Sequence, residues 1–210
     1  MDFRGAIFDL DGTIIDSISL WEKVALDWAR KNHVTIDEEF FDAAKYGKLS
    51  DLRDQMLKAF PSLDLKKAER EVKMKLITQY MFFLKLKEGA REYLEKLKSE
   101  GISIALATSS PKMVCDFVIK QKRLSRYFDK VLLTDSFSRG KEFPDIFLKA
   151  AESIGVNPSD CIVFEDNYKA IAGVHAAGMR FCAIYDAHSR YNKFLKENAD
   201  VFIYSFRELL

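Results

Sequence analysis

Six short, almost continuously apolar runs constrain this chain more than any other feature. They are the stretch around Ala6–Phe8, "ISIALA" (102–107), "KVLL" (130–133), "CIVF" (161–164), "RFCAIY" (180–185) and "VFI" (201–203). Runs of this kind are the mark of strands buried on both faces of a parallel sheet. Helical patterns lie between them. "EGAREYLEKLKSEG" (88–101) stops at a glycine, as helices commonly do. "PDIFLKAAESIG" (144–155) starts with proline in an N1-like position and also stops at glycine, and "YKAIAGVHAAG" (168–178) stops at Gly178. Alternating strand and helix predicts an α/β, doubly wound parallel sheet.

Residues 17–82 break the rhythm. "LWEKVALDWARKN" has helical period, with Leu20, Val24 and Trp28 on one stripe; Trp28 reads as core. "SDLRDQMLKAF" and "KKAEREVKMKLITQYMFFL" are helical too, the latter with an i,i+4 pair at Glu71 and Lys75. No strand is evident among them. The expected organisation is a core domain of residues 1–16 and 83–210 with an α-helical cap, 17–82, inserted after the first strand. At 210 residues the chain can bury roughly 70% of the surface its unfolded form exposes, so it needs no staples.

Lys plus Arg number 33 against 32 Asp plus Glu, so no overall field favours a nucleic acid or a membrane as partner. Cys115, Cys161 and Cys182 are odd in number and far apart, and the histidines are scattered. That excludes a disulfide framework and a Cys/His zinc site. With no charged-then-apolar leader and no apolar run approaching about 18 residues, a cytoplasmic protein is expected, and a monomer.

The ends of the strands carry the chemistry. The first run gives Asp9 and Asp11, two residues apart and so on one side of an extended chain. "ALA" gives Thr108, Ser109 and Ser110; "CIVF" gives Glu165 and Asp166. Asp135 and Asp186 also end strands, where a turn or cap acid is common, and their roles stay open. In an open α/β sheet, sites form outside the carboxyl ends of the strands, so these acids and hydroxyls converge. Several carboxylates in one crevice need a cation, and an oxygen-only site suits Mg²⁺. With Lys141 in the loop before a helix, the set suits phosphoryl transfer, although no P-loop pattern is present.

"DLDGT", "LATSSP", "GKEFPDIF" and "FEDN" ending in "AAGM", in that order, resemble the haloacid dehalogenase superfamily of phosphohydrolases. Alone, each has an ordinary reading as a turn, a cap or a surface charge; together and in order they span the chain. The resemblance implies a Rossmann-like core with a small helical cap of the β-phosphoglucomutase and sugar-phosphatase branch. It makes Asp9 the nucleophile and Asp11 the acid/base, with Asp11 also offering its backbone carbonyl to Mg²⁺. Asp9 and Asp166 would supply the other metal oxygens, with Glu165 either on the metal as well or bonded to its ligands. Thr108, the Ser109 N–H and Lys141 would hold the transferring phosphoryl group. Three departures touch metal geometry and the start of the following helix: "GKEFPD" for Gly-Lys-Pro-x-Pro-Asp, Asn167 for Ser, and Ala170 for a common Gly.

The implied function is Mg²⁺-dependent hydrolysis of a small phosphorylated metabolite, a sugar or polyol monophosphate. The alternatives are a β-phosphoglucomutase-like mutase, a receiver-type phospho-switch without turnover, a binding-only pseudo-enzyme and a phosphonate hydrolase. The intact acids disfavour a pseudo-enzyme, Asp11 disfavours the phosphonate branch, and the inserted helices have no place in a receiver. Substrate choice would lie in cap residues, with Trp21, Tyr46, Gly47 and Lys48 as candidates. The branch's mutases carry a cap-hinge histidine and a phosphate-binding cap arginine. Counting from Asp9, Trp21 stands at the first position, and Lys48 lies near the second.

Overall fold

The computed structural model describes residues 2–33 and 64–210, with Thr35, Met56, Lys58, Phe60 and Pro61 between them. The candidates Tyr46, Gly47 and Lys48 lie outside the described residues, as does the expected helix over "SDLRDQMLKAF" except for Met56, Lys58 and Phe60.

Six strands form one parallel sheet: β1 (Gly5–Phe8), β4 (Ser103–Thr108), β5 (Lys130–Leu133), β6 (Cys161–Glu165), β7 (Arg180–Ile184) and β8 (Val201–Ile203). Their order is β5-β4-β1-β6-β7-β8. The chain therefore winds outward from β1 in one direction and then returns to wind outward in the other. That reversal opens a crevice beside the carboxyl end of β1.

Two-residue periodicity sorts the strands onto two cores. Ala6, Phe8, Ile104, Leu106, Ile162, Phe164, Cys182 and Ile184 face one; Ile7, Ala105, Ala107, Cys161, Val163, Phe181 and Ala183 face the other. On the first side Phe8 stacks on Phe164 at 4.5 Å, under α3 (Ala90–Ser99) and α4 (Lys112–Gln121). On the second lie α5 (Asp145–Ser153), α6 (Ala170–Ala176) and α7 (Asn192–Asn198). All three cysteines are buried and unpaired.

Burial on both faces holds for the inner strands. It fails at β5, an edge strand whose Val131 is 45% exposed. A single neighbour cannot cover a terminal strand.

The helical insert comprises, among the described residues, α1 (Ile18–Lys31) and α2 (Leu65–Phe83). Val24, Leu76 and Tyr80 are buried in the first core, and Trp28 is buried as well. The Glu71–Lys75 pair does not form. Glu71 instead meets Lys31 at 3.2 Å and Lys75 meets Asp27 at 3.9 Å, joining α2 to α1. Two packed helices offer each charge a partner across the seam as near as the one along its own helix. A short antiparallel ribbon, β2 (Ile15–Asp16) with β3 (Lys85–Leu86), gathers both ends of the insert at the crevice.

Candidate active site

Asp9 continues β1: its N–H donates to Phe164 O at 3.0 Å, so the side chain emerges where the ladder ends. The chain then turns sharply at Gly12, whose φ is +77°. A Cβ there would lie 2.2 Å from an oxygen of Asp166, so only glycine lets the turn close over that carboxylate. Thr13, just beyond, donates to Asp166 Oδ1 at 3.1 Å.

Asp9, Glu165 and Asp166 are all buried, with one oxygen from each within 4.8 Å of the others. Lys141 enters from the loop before α5 and is 5% exposed. Its ammonium donates to Asp9 Oδ1 and, at 2.6 Å, to Glu165 Oε2. Burial pulls the lysine pKa down, but its two carboxylate partners outweigh this and hold it above the usual range.

One ammonium does not neutralise three carboxylates. Burial pushes the Asp9 carboxyl up to about 8, with the charge of Glu165 adding to it and Lys141 opposing. Asp166 is raised too, by burial first and then by Glu165, Asp9 and Asp186. A compact, all-oxygen donor set with excess negative charge fits a hard divalent cation such as Mg²⁺, which would reverse both shifts.

Asp11 has a different set of partners, from the insert and from the loop after β4, while staying close enough for its charge to raise Asp9 further. Trp21 Nε1 of α1 donates to its Oδ1 at 3.1 Å, and the Tyr80 hydroxyl of α2 donates to the same oxygen at 2.6 Å. Ser110 Oγ, from the loop after β4, donates to Oδ2. The carboxylate thus connects four segments of the chain. Thr108 is buried at the end of β4, its Oγ1 accepting from the Ser110 N–H at 3.0 Å; Ser109 is half-buried between them.

The structure brings together Asp9, Glu165, Asp166 and Lys141, and sets Asp11, Trp21, Thr108 and Ser109 around the same strand ends. Asp135 lies exposed in the turn Thr134–Ser136, away from these contacts. Asp186 is different. It is buried and pairs with Lys87, just past β3, at 2.7 Å. That pair borders the acid cluster, tying the returning end of the insert to the loop after β7. Sequence reasoning missed Tyr80, which reads as plain core on α2, and assigned no role to Thr13, Ser110 or Lys87. Thr13 and Ser110 carried a signal, as the last residue of "DLDGT" and as part of "LATSSP"; Tyr80 and Lys87 carried none.

Residues 6–184 match the family model described as haloacid dehalogenase-like hydrolase. The chain belongs to that family. Among curated relatives, this hydrolase is 28% identical over 180 residues to the phosphorylated carbohydrates phosphatase of Thermotoga maritima, covering 84% of this chain and 82% of the other. It is also 28% identical over 190 residues to hexitol phosphatase B of Escherichia coli, covering 83% and 80%. Its fold is that of the crystal structure of β-phosphoglucomutase from Clostridium difficile, with a TM-score of 0.82 at 23% identity over 99% of this chain and 93% of that one. The haloacid dehalogenase-like core is therefore the sheet described above, with the helical insert consistent with the family's small cap type. Among the described residues no helix is long and apolar enough to cross a membrane.

Proposed function

We propose that this enzyme is a phosphatase for small phosphorylated metabolites, sugar or polyol monophosphates, acting through an aspartyl-phosphate on Asp9. The observation that carries the reading is the buried Asp9 carboxylate beside Lys141 and two further acids, with Asp11 two residues away on a separate hydrogen-bond network. The phosphatase names of the Thermotoga and Escherichia relatives support the substrate class.

Asp9 attacks phosphorus, and the bond from phosphorus to the substrate oxygen breaks. Asp11 gives its proton to that oxygen, which leaves as the alcohol. Asp11 then takes a proton from water as the water oxygen attacks the aspartyl-phosphate. Inorganic phosphate leaves and Asp9 is restored. Thr108, the Ser109 N–H and Lys141 hold the phosphoryl oxygens and offset their charge. Asp9, Glu165, Asp166 and the Asp11 carbonyl would hold Mg²⁺. When bound, that ion supplies charge stabilisation to the phosphoryl oxygens and keeps Asp9 ionised.

Residues 17–82 act in this reading as a cap domain over the core of 1–16 and 83–210. The test is phosphate release over a panel of phosphorylated metabolites, with Mg²⁺ and with excess chelator. Turnover of sugar or polyol monophosphates only with Mg²⁺ is expected; full activity in chelator, or none on any member, overturns the reading.

A further inference from the structure

Gly173 of α6 lies against the loop that carries Lys141. A Cβ built on it would stand 2.1 Å from the Lys141 carbonyl oxygen, 2.7 Å from that of Phe143 and 2.9 Å from the Phe143 carbonyl carbon. Those are backbone atoms and cannot rotate out of the way. Gly140, in the loop itself, makes the contrast: there the nearest atoms to an added Cβ are the carboxyl end of the Glu142 side chain, which can swing aside.

Any side chain at 173 must therefore displace either α6 or the loop. The helix is fixed from its inner face, where Ala170 and Val174 are fully buried in the second core. The loop has Arg139, Glu142 and Phe143 exposed around Lys141, and Arg139 ties within the segment, to Asp145 at 2.9 Å and over the Phe143 ring, rather than to α6. So the loop is what yields. Lys141 makes two short contacts at once, to Asp9 and to Glu165, and both depend on where its backbone is anchored. A displacement on the order of 1 Å in such a site can cost about a hundredfold in rate.

We propose that Gly173 is a positioning residue for Lys141: the missing side chain on α6 lets the loop seat the ammonium between Asp9 and Glu165. Two of the three departures noted in the sequence lie on the segments that form this contact. "GKEFPD" supplies the two carbonyls, and the helix that follows "FEDN" carries alanine at 170 and glycine one turn later, at 173. The substituted loop and the relocated glycine are one packing solution.

The inference rests on the phosphatase reading for its consequence but not for its geometry, and two measurements separate them. The first is reductive methylation of native full-length protein, read by mass spectrometry at each lysine. Lys141 resists labelling in the wild type; in Gly173→Ala it is labelled at least tenfold faster while Lys87 is unchanged. The second is binding of inorganic phosphate in the presence of Mg²⁺, by calorimetry, to wild type, Gly173→Ala, Lys141→Met and the double variant. Gly173→Ala weakens binding about tenfold when Lys141 is present and less than twofold in the Lys141→Met protein. Unchanged labelling of Lys141, equal weakening in both backgrounds, or a Gly173→Ala protein that does not fold each overturns the proposal. No phosphate binding by the wild type counts against the phosphatase reading alone, and the labelling then decides the role of Gly173.

Discussion

At Asp9 the environment and the chemistry pull in opposite directions. As the proposed nucleophile it must be ionised, yet burial and Glu165 push this carboxyl up to about 8. In metal-free protein the folded state then keeps a proton that the unfolded chain, near 3.8, has lost. Between those values the folded state binds more protons, so stability falls as pH rises. Asp166 is shifted the same way and adds to the slope. Calorimetry on chelator-treated protein should show Tm dropping from pH 5 to pH 8, with the slope reduced in Asp9→Asn. A Tm that climbs through that window contradicts the assignment of the shift. Mg²⁺ should stabilise most at the upper end, where the carboxylates it needs are available. Asp9→Asn is also the test of the nucleophile. The amide has the shape of the carboxylate and can still accept from Lys141, so the fold should persist, while turnover falls by about three orders of magnitude or more. A pure variant retaining more than a few per cent of wild-type phosphate release would move the nucleophile elsewhere.

Between elements, the informative contact is Tyr80 on Asp11, a fully buried hydroxyl from the insert holding a core carboxylate. Tyr80→Phe removes only the oxygen. The remaining donors, Trp21 and Ser110, hold Asp11 less firmly, so proton delivery to the leaving group suffers. For an alkyl phosphate, kcat/KM should fall about tenfold, the equivalent of a ~1.4 kcal/mol charge-assisted hydrogen bond. For p-nitrophenyl phosphate, whose leaving group departs without a proton, the loss should stay within about threefold. Equal losses on both would make Tyr80 a packing residue. Why sequence reading missed Tyr80 is a matter of range. The six sheet strands and the predicted helix stops at Gly101, Gly155 and Gly178 were legible because continuous apolar runs, helical period and glycine caps are local signals, and each of those glycines does have positive φ. Asp9, Asp11, Glu165 and Asp166 were legible because strand ends converge by topology. Tyr80 is 69 residues from Asp11 along the chain. Its spacing from Leu76 says only that both face inward. The helix α4 and the β2–β3 ribbon went unread for similar reasons: "KMVCDFVIKQ" follows a Pro without a strong stripe, and two-residue strands have no period to detect. Glu71 and Lys75 show the converse, a local rule overridden by a partner on another helix.

For the molecule as a whole, the question is what the insert does once Asp9 carries phosphate, as the proposed mechanism has it. A mutase must hold that intermediate away from water until the sugar phosphate re-docks, which requires a cap that binds the sugar and times the acid/base. A phosphatase needs only to admit water after the alcohol leaves. The β-phosphoglucomutase fold serves both, so the fold is silent and particular side chains must decide. Where the mutase branch has a hinge histidine, this chain has Trp21, and its indole N–H is already given to Asp11. Indole is a donor only; it neither titrates nor accepts, so it cannot pass a proton between sugar and acid/base. Tyr80 occupies the same Asp11 oxygen from the other helix of the insert. For the second phosphate, the branch's cap arginine has Lys48 nearby in this sequence, which can hold a phosphate only as a point charge without the paired geometry of a guanidinium. Both differences favour water over a returning sugar. The decisive assay supplies β-glucose 1-phosphate with catalytic glucose 1,6-bisphosphate and follows glucose 6-phosphate and inorganic phosphate together. Phosphate release without any requirement for the bisphosphate is expected, with isomerisation slower than hydrolysis. Isomerisation outrunning phosphate release by tenfold or more would mean that Trp21 and Tyr80 shield the aspartyl-phosphate rather than expose it, and the enzyme would be a mutase.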